Sequence, residues 1–328
     1  MDWGPGTWAR LQQSVHRKIL RAASEADAFC IIVRAARSVL RAYSSSFFLV
    51  TRFLPPVKRA EVEVVYAAVR YPDEVVDSFP WPADCKLARL NDWELHYRSA
   101  LQAGGIKQQI QAGIPWILAG FARVVSHRGI PPEHYLAFLD AMRRDARPAI
   151  FADFDELIRS YVYGSAVVVG YFLTHIYGTA DGTSLEQALG CARELGIALQ
   201  LTNFARDGEE DRRQGRVYIP LDALSRAGFR LEEFLRCGNP EALRTATRWL
   251  AEQAEPRYLY ARLHLPAFSA DCRTAIHACI DVYQAINRRL LDGGASAGRR
   301  VRLNAFEKFR MLPPGKYWRV PLAYARLV

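Results

Sequence analysis

Apolar residues recur every three to four positions over most of the chain. That spacing predicts helices at 22–43, 56–77, 83–103, 131–144, 154–176, 184–210, 231–234, 240–260 and 270–291. Proline or serine opens several of these runs and glycine follows several, as helix starts and stops require. Strand-like alternation is scarce. Val62, Val64, Val65 and the run 166–169 are β-branched, but each lies inside a longer helical pattern, and length decides for helix. The Pro- and Gly-containing stretches at 79–82, 129–132 and 293–294 are short, so they punctuate helices rather than link domains. The expectation is an all-α fold in one domain over residues 1–328.

Two of these helices run into acid. Asp73-Glu74-Val75-Val76-Asp77 follows the apolar Val64–Val69, and Asp207-Gly208-Glu209-Glu210-Asp211 follows Leu195–Leu201. Acids four apart share one helix face, so two such helices opposed to each other can hold hard, oxygen-liking cations. One acidic pair at this spacing is ordinary for a solvated face. Acids that continue a buried face need partners, because a buried unpaired carboxylate is too costly to keep ionised. On the second helix Gln200, Asn203, Asp207 and Asp211 follow steps of three, four and four, which makes one polar stripe.

Composition narrows the classes. The chain has 328 residues, 50% of them hydrophobic, with a formal net charge of +10. It is long enough for a large helical core and shows no sign of disorder. The surplus of Lys and Arg suits an anionic substrate, and acids grouped inside a basic chain suit a diphosphate bridged by Mg²⁺. Cys30, Cys85, Cys191, Cys237, Cys272 and Cys279 form no CxxC pair, so a reduced cytosolic chain without a zinc site is expected. No signal core precedes the first helix, and no run reads as long and apolar enough to span a bilayer. Gly293 to Gly298 lacks the Lys-Ser/Thr of a phosphate loop and reads as a connector. The seven histidines are scattered.

The run Tyr66-Ala67-Ala68-Val69-Arg70-Tyr71-Pro72-Asp73-Glu74-Val75-Val76-Asp77 is similar to Y-x-x-x-R-x-x-D-[DE]-x-x-D of the squalene and phytoene synthases. Gly196-Ile197-Ala198-Leu199-Gln200-Leu201-Thr202-Asn203-Phe204-Ala205-Arg206-Asp207, continuing through Glu210-Asp211 to Gly215-Arg216-Val217-Tyr218-Ile219-Pro220, resembles that family's second signature almost position for position. Ordered matches run from about 43 to 308. The resemblance implies a class I isoprenoid synthase-type helical bundle with a central cavity. It also implies Mg²⁺-dependent head-to-head condensation of two prenyl diphosphates through a cyclopropyl diphosphate. Either geranylgeranyl diphosphate gives phytoene, or farnesyl diphosphate gives presqualene diphosphate and squalene.

The same resemblance assigns roles. Asp73, Asp77, Asn203, Asp207 and Asp211 take the metal, Mg²⁺ with Mn²⁺ as a substitute. Ser44, Ser46, Arg70, Gln200, Asn203, Arg206, Tyr283, Arg300 and Lys308 take the diphosphates, and Tyr161 lies against the reacting cation. NADPH enters only if squalene is the product. No nucleic-acid partner is implied. The expected place is the cytoplasm, at the inner face of a membrane, because the products are long hydrocarbons and the chain is basic.

Four positions depart from the pattern. Tyr43 stands where the family commonly has His, Pro72 falls inside the first motif's helix and should kink it, and Ser165 and Val167 replace Val and Gly beside Tyr161. The last pair should narrow and slightly polarise the tunnel wall. Two other readings use the same residues. One is a class I terpene cyclase acting on one prenyl diphosphate. The other is a non-catalytic scaffolding relative, which would be expected to lose metal carboxylates.

Overall fold

A computed structural model describes residues 3–235, 240–293 and 301–325. The first half comprises α1 (Pro5–Leu20), α2 (Glu25–Tyr43), α3 (Ser45–Thr51), α4 (Pro56–Asp77), α5 (Ala83–Gln102), α6 (Ile106–Gln111), α7 (Trp116–Arg128) and α8 (Glu133–Ala146). Then α9 (Phe154–Leu157), a wide π-helical segment (Ile158–Val167) and α10 (Val168–Tyr177) form one continuous rod. The second half holds α11 (Leu185–Arg213), α12 (Leu221–Arg226), α13 (Leu231–Leu235), α14 (Pro240–His264), α15 (Ala270–Leu291), α16 (Ala305–Met311) and α17 (Lys316–Tyr324). Among the described residues there is no strand, only one bridge between Thr179 and Phe268.

Local chemistry sets the ends. Ser24 accepts from the Asp27 N–H to cap α2, and Pro56 opens α4. Ser184 with Gln187 and Asn304 with Glu307 form capping boxes on α11 and α16. The long α11 is the spine. It packs along α14 and against α15, α10 and the π segment, while α4 packs on α2, α7, α8 and α10.

Periodicity missed α1, α7 and the short helices α3, α6, α12, α16 and α17, and α7 is the most buried of them. Every residue from Trp116 to Ala122 is buried, so the first half of α7 has no polar position to reveal a period, and exposed Arg123, Ser126 and His127 come only in its last two turns. Gly120 lets it approach α2 closely, since a Cβ there would stand 2.6 Å from Ile32 Cγ2. The run Phe154–Tyr177 also differs from expectation. It is long and apolar enough to cross a bilayer by length and composition, yet half of its apolar window is buried among the other helices.

Pro72 does not break α4, which continues to Asp77. The proline cannot donate to the Ala68 carbonyl one turn back. Instead the buried Tyr135 hydroxyl on α8 donates to that carbonyl at 2.7 Å and accepts from Trp93 Nε1 on α5 at 2.9 Å. The expected defect is repaired by two neighbouring helices.

Candidate active site

The last turns of α4 bring Arg70, Asp73, Glu74 and Asp77 to one end of the bundle. Arg70 donates to Asp73 at 2.5 Å and also grips Glu74. Tyr43 at the end of α2 donates to Glu74 at 3.0 Å, and the Arg70 guanidinium lies 4.2 Å from the centre of the Tyr43 ring. Asp77 is held at 2.5 Å by Arg216, from the turn after α11. Burial, then the neighbouring Asp77 charge, pushes the Asp73 carboxyl up to about 7 despite Arg70.

The facing helix α11 presents Gln200, Asn203 and Arg206 to the same space, and Arg206 grips Asp207 with two bonds of 2.9 and 2.7 Å. Asp211 is pushed up to about 8, first by burial and then by Asp207, with Asp77 and Asp145 adding to the effect and Arg216 opposing it. Arg216 joins the two motifs: its guanidinium takes Asp77, and its backbone N–H donates to the Asp211 carbonyl at 2.9 Å.

Between these helices lies a cavity of about 630 Å³. Ser44, Ser46, Arg70, Asp73, Gln200, Asn203, Arg206, Tyr283 and Lys308 line it, as does Tyr161. Ser44 also accepts from the Phe47 N–H and so caps α3, which makes the cap and the site compatible. Lys308 donates to Ser45 at 3.1 Å, and its amine is lowered by burial, by Arg302 and by Arg206. Four cations, Arg70, Arg206, Arg302 and Lys308, therefore line the cavity. The sequence expectation for the tail arginine was Arg300, which lies outside the described residues; Arg302 lines the cavity.

Tyr161 is both core and wall. Its hydroxyl donates to Asp145 at 2.7 Å, Tyr218 donates to the other oxygen at 2.8 Å, and the two hydroxyls are 3.2 Å apart. Asp145 is pushed up to about 6, chiefly by burial. Loss of the Tyr161 hydroxyl would leave a buried carboxylate short of a donor, so Tyr161→Phe is not neutral to stability. Asp145 carried no sequence signal, being one polar residue at the end of a helix. Arg216 and Tyr218 stood inside the second signature, but only the fold shows their partners.

Ser165 and Val167 diverge. Ser165 lines the cavity, and its buried hydroxyl has no hydrogen-bond partner. Val167 is buried off the cavity, with its Cα 3.3 Å from where a Cβ of Gly196 would sit, so it does not narrow the wall. Six residues past Tyr161, it has turned away from the face that Tyr161 and Ser165 share.

A sequence profile described as squalene/phytoene synthase matches residues 40–307. The chain belongs to the squalene/phytoene synthase family. It is 30% identical over 257 residues to 15-cis-phytoene synthase of Pantoea ananas, covering 77% of this chain and 81% of that one. It is 31% identical over 280 residues to phytoene synthase of Pseudescherichia vulneris, covering 82% and 86%. A presqualene diphosphate synthase of Sinorhizobium fredii is 32% identical over 213 residues, covering 65% and 71%. The fold is that of a crystallised dehydrosqualene synthase, with a TM-score of 0.75 at 21% identity over 92% of this chain and all of the other. Membership makes the chain a prenyltransferase that condenses prenyl diphosphates head to head.

Donor chemistry in this family member suits a hard divalent cation. The acidic faces offer carboxylate and amide oxygens, and burial disfavours the ionised form of the Asp73 and Asp211 carboxyls, which a cation would offset. Among the described residues no three His, Cys, Asp or Glu side chains form a ready cage. Mg²⁺ does not need one, because one or two carboxylates complete its shell with water and substrate phosphate oxygens.

Proposed function

We propose that the chain condenses two molecules of geranylgeranyl diphosphate to phytoene, with Asp73, Asp77, Asn203, Asp207 and Asp211 holding Mg²⁺. The observation that carries this reading is that one cavity is polar at the end shared by Arg70, Asp73, Asn203, Arg206 and Lys308 and walled beyond by Val169, Leu173, Leu199 and Ile276. The relatives named phytoene synthase match more of the chain than the presqualene relative does. The latter keeps a second reading, from farnesyl diphosphate to presqualene diphosphate, with NADPH needed only for a squalene product.

When bound, the cation neutralises the departing diphosphate. The remaining work falls to the chain. Ser44, Ser46, Arg206, Arg302, Lys308 and Tyr283 receive the diphosphate oxygens, and the apolar wall excludes water from the allylic cation. The double bond of the second substrate attacks that cation, and a proton leaves as the cyclopropyl ring closes. A second ionisation and rearrangement end in proton loss. The Tyr161 hydroxyl, held by Asp145, is the wall group assigned to face this charge. Asp73, Asp207 and Asp77 would hold the cation, and Arg70, Arg206 and Arg216, which grip those acids here, would then be available to neutralise diphosphate. The enzyme works in the cytoplasm at a membrane surface, where its apolar product leaves.

The test is incubation with labelled geranylgeranyl or farnesyl diphosphate and Mg²⁺, with and without NADPH. A C40 product without NADPH is expected, and EDTA or Asp207→Asn should lower turnover at least about a hundredfold. A C30 product would favour the second reading. A cyclised product of one substrate, or full turnover in EDTA, would defeat both.

A further inference from the structure

The exposed face of α17 has the wrong polarity for a helix that meets only water. Ala323 is buried, while Tyr317, Trp318 and Pro321 face outward, the first two with 71% and 55% of their surface exposed, and Tyr324 is half exposed with its ring edge against Phe48 at 6.0 Å. Positions 317, 321 and 324 form one stripe, and a surface helix ordinarily turns such a stripe inward. On α16 Phe306 is 68% exposed. The two helices form one patch, since Phe309 and Tyr317 pack edge to face at 5.6 Å and Lys316 Nζ donates to the Arg310 carbonyl at 2.9 Å.

Cations flank the rings. Arg319 lies 4.8 Å from the Trp318 ring centre, Lys316 lies 5.5 Å from Tyr317, and Arg310 lies 6.0 Å from Phe306. Residues 301–325 carry Arg302, Lys308, Arg310, Lys316 and Arg319 against a single acid, Glu307, which Arg289 neutralises. The patch also adjoins the cavity. Val301, Arg302, Leu303 and Lys308 line that space, and Lys308 belongs to α16. The α17 helix itself lies beyond the stretch that matches the family profile.

We propose that α16 and α17 form a docking face that seats the cavity wall formed by Val301, Arg302, Leu303 and Lys308 against an anionic bilayer. Exposed Trp and Tyr with flanking Lys and Arg are the side chains that settle at a membrane interface, rings at headgroup level and cations against anionic headgroups. A second copy of this chain would bring the same unbalanced cations face to face, which disfavours self-association through this patch. The use of the surface rests on the proposed reaction, whose apolar chains would pass between bilayer and cavity. The binding itself does not.

Co-sedimentation with phosphatidylglycerol-containing and pure phosphatidylcholine vesicles, at low and high salt, tests this without substrate. The wild type should prefer anionic vesicles and lose binding as salt rises. The triple variant Phe306→Ser, Tyr317→Ser, Trp318→Ser should partition at least about tenfold more weakly, with an unchanged melting curve, because all three side chains are exposed. Lys316→Gln with Arg310→Gln should remove most of the salt dependence. Equal binding by the triple variant, or no anionic preference in the wild type, would overturn the proposal. So would a dimer in light scattering that the triple variant abolishes, which would give the face to a second copy. Vesicle binding without condensation product would sink the reaction and keep the docking face; product in detergent without vesicle binding would do the reverse.

Discussion

Asp211 shows how one residue couples the site to the solvent. Its carboxyl is raised from 3.8 to about 8, so between those values the folded chain holds a proton that the unfolded chain has lost. Stability therefore falls as pH rises through this window, and the full cost is present above about pH 8. Metal-free Asp211→Asn escapes that cost. Its melting temperature should exceed that of the wild type by a margin that is small near pH 5 and grows to pH 8. Thermal scans in EDTA across that range measure it, and parallel curves would show that Asp211 ionises freely in the fold. Asp73 and Asp145, raised to about 7 and 6, push the wild-type curve the same way.

At the level of elements, the first acidic motif depends on a helix that its own Pro72 should kink. The Ala68 carbonyl, deprived of a donor by Pro72, takes the Tyr135 hydroxyl. Tyr135→Phe should destabilise the protein by about 1–3 kcal/mol, the cost of a buried group left without its partner. Pro72→Ala restores a backbone N–H at that turn, so Tyr135→Phe should cost less in that background, with a coupling of about 1 kcal/mol. Denaturant unfolding of the four proteins in the cycle decides it, and additive effects would mean that the hydroxyl does not serve the Pro72 turn. The residual cost belongs to Trp93, whose indole N–H also loses its acceptor.

Over the whole molecule, opposite charges are already matched before any ligand arrives. Three of the four motif aspartates sit against arginines: Asp73 with Arg70, Asp77 with Arg216 and Asp207 with Arg206. A cation alone must displace those guanidinium groups, and inorganic diphosphate alone must compete with the carboxylates for them. Together each supplies what the other displaces. Mg²⁺ and diphosphate added jointly should raise the melting temperature by more than the sum of their separate shifts. Arg206→Gln should enlarge the shift from Mg²⁺ alone and shrink the joint one. Additive shifts in the wild type would refute this exchange of partners.

Helix type and the stacking of each acidic pair follow from the sequence by itself, because both are set within a few residues by the 3.6-residue turn. The same local rule makes Gln200, Asn203, Asp207 and Asp211 one stripe wherever α11 lies. It fails for α7, whose first seven residues are apolar and buried on all sides, and for Val167, whose facing depends on a wide π turn. Only the tertiary structure brings Asp145 from α8 to Tyr161 and Tyr218, and joins Asp77 to a backbone turn through Arg216. It alone repairs Pro72 with Tyr135 and leaves the aromatic stripe of α17 uncovered. These pairings bridge helices far apart in the chain, so their energies depend on packing distances that no local period encodes.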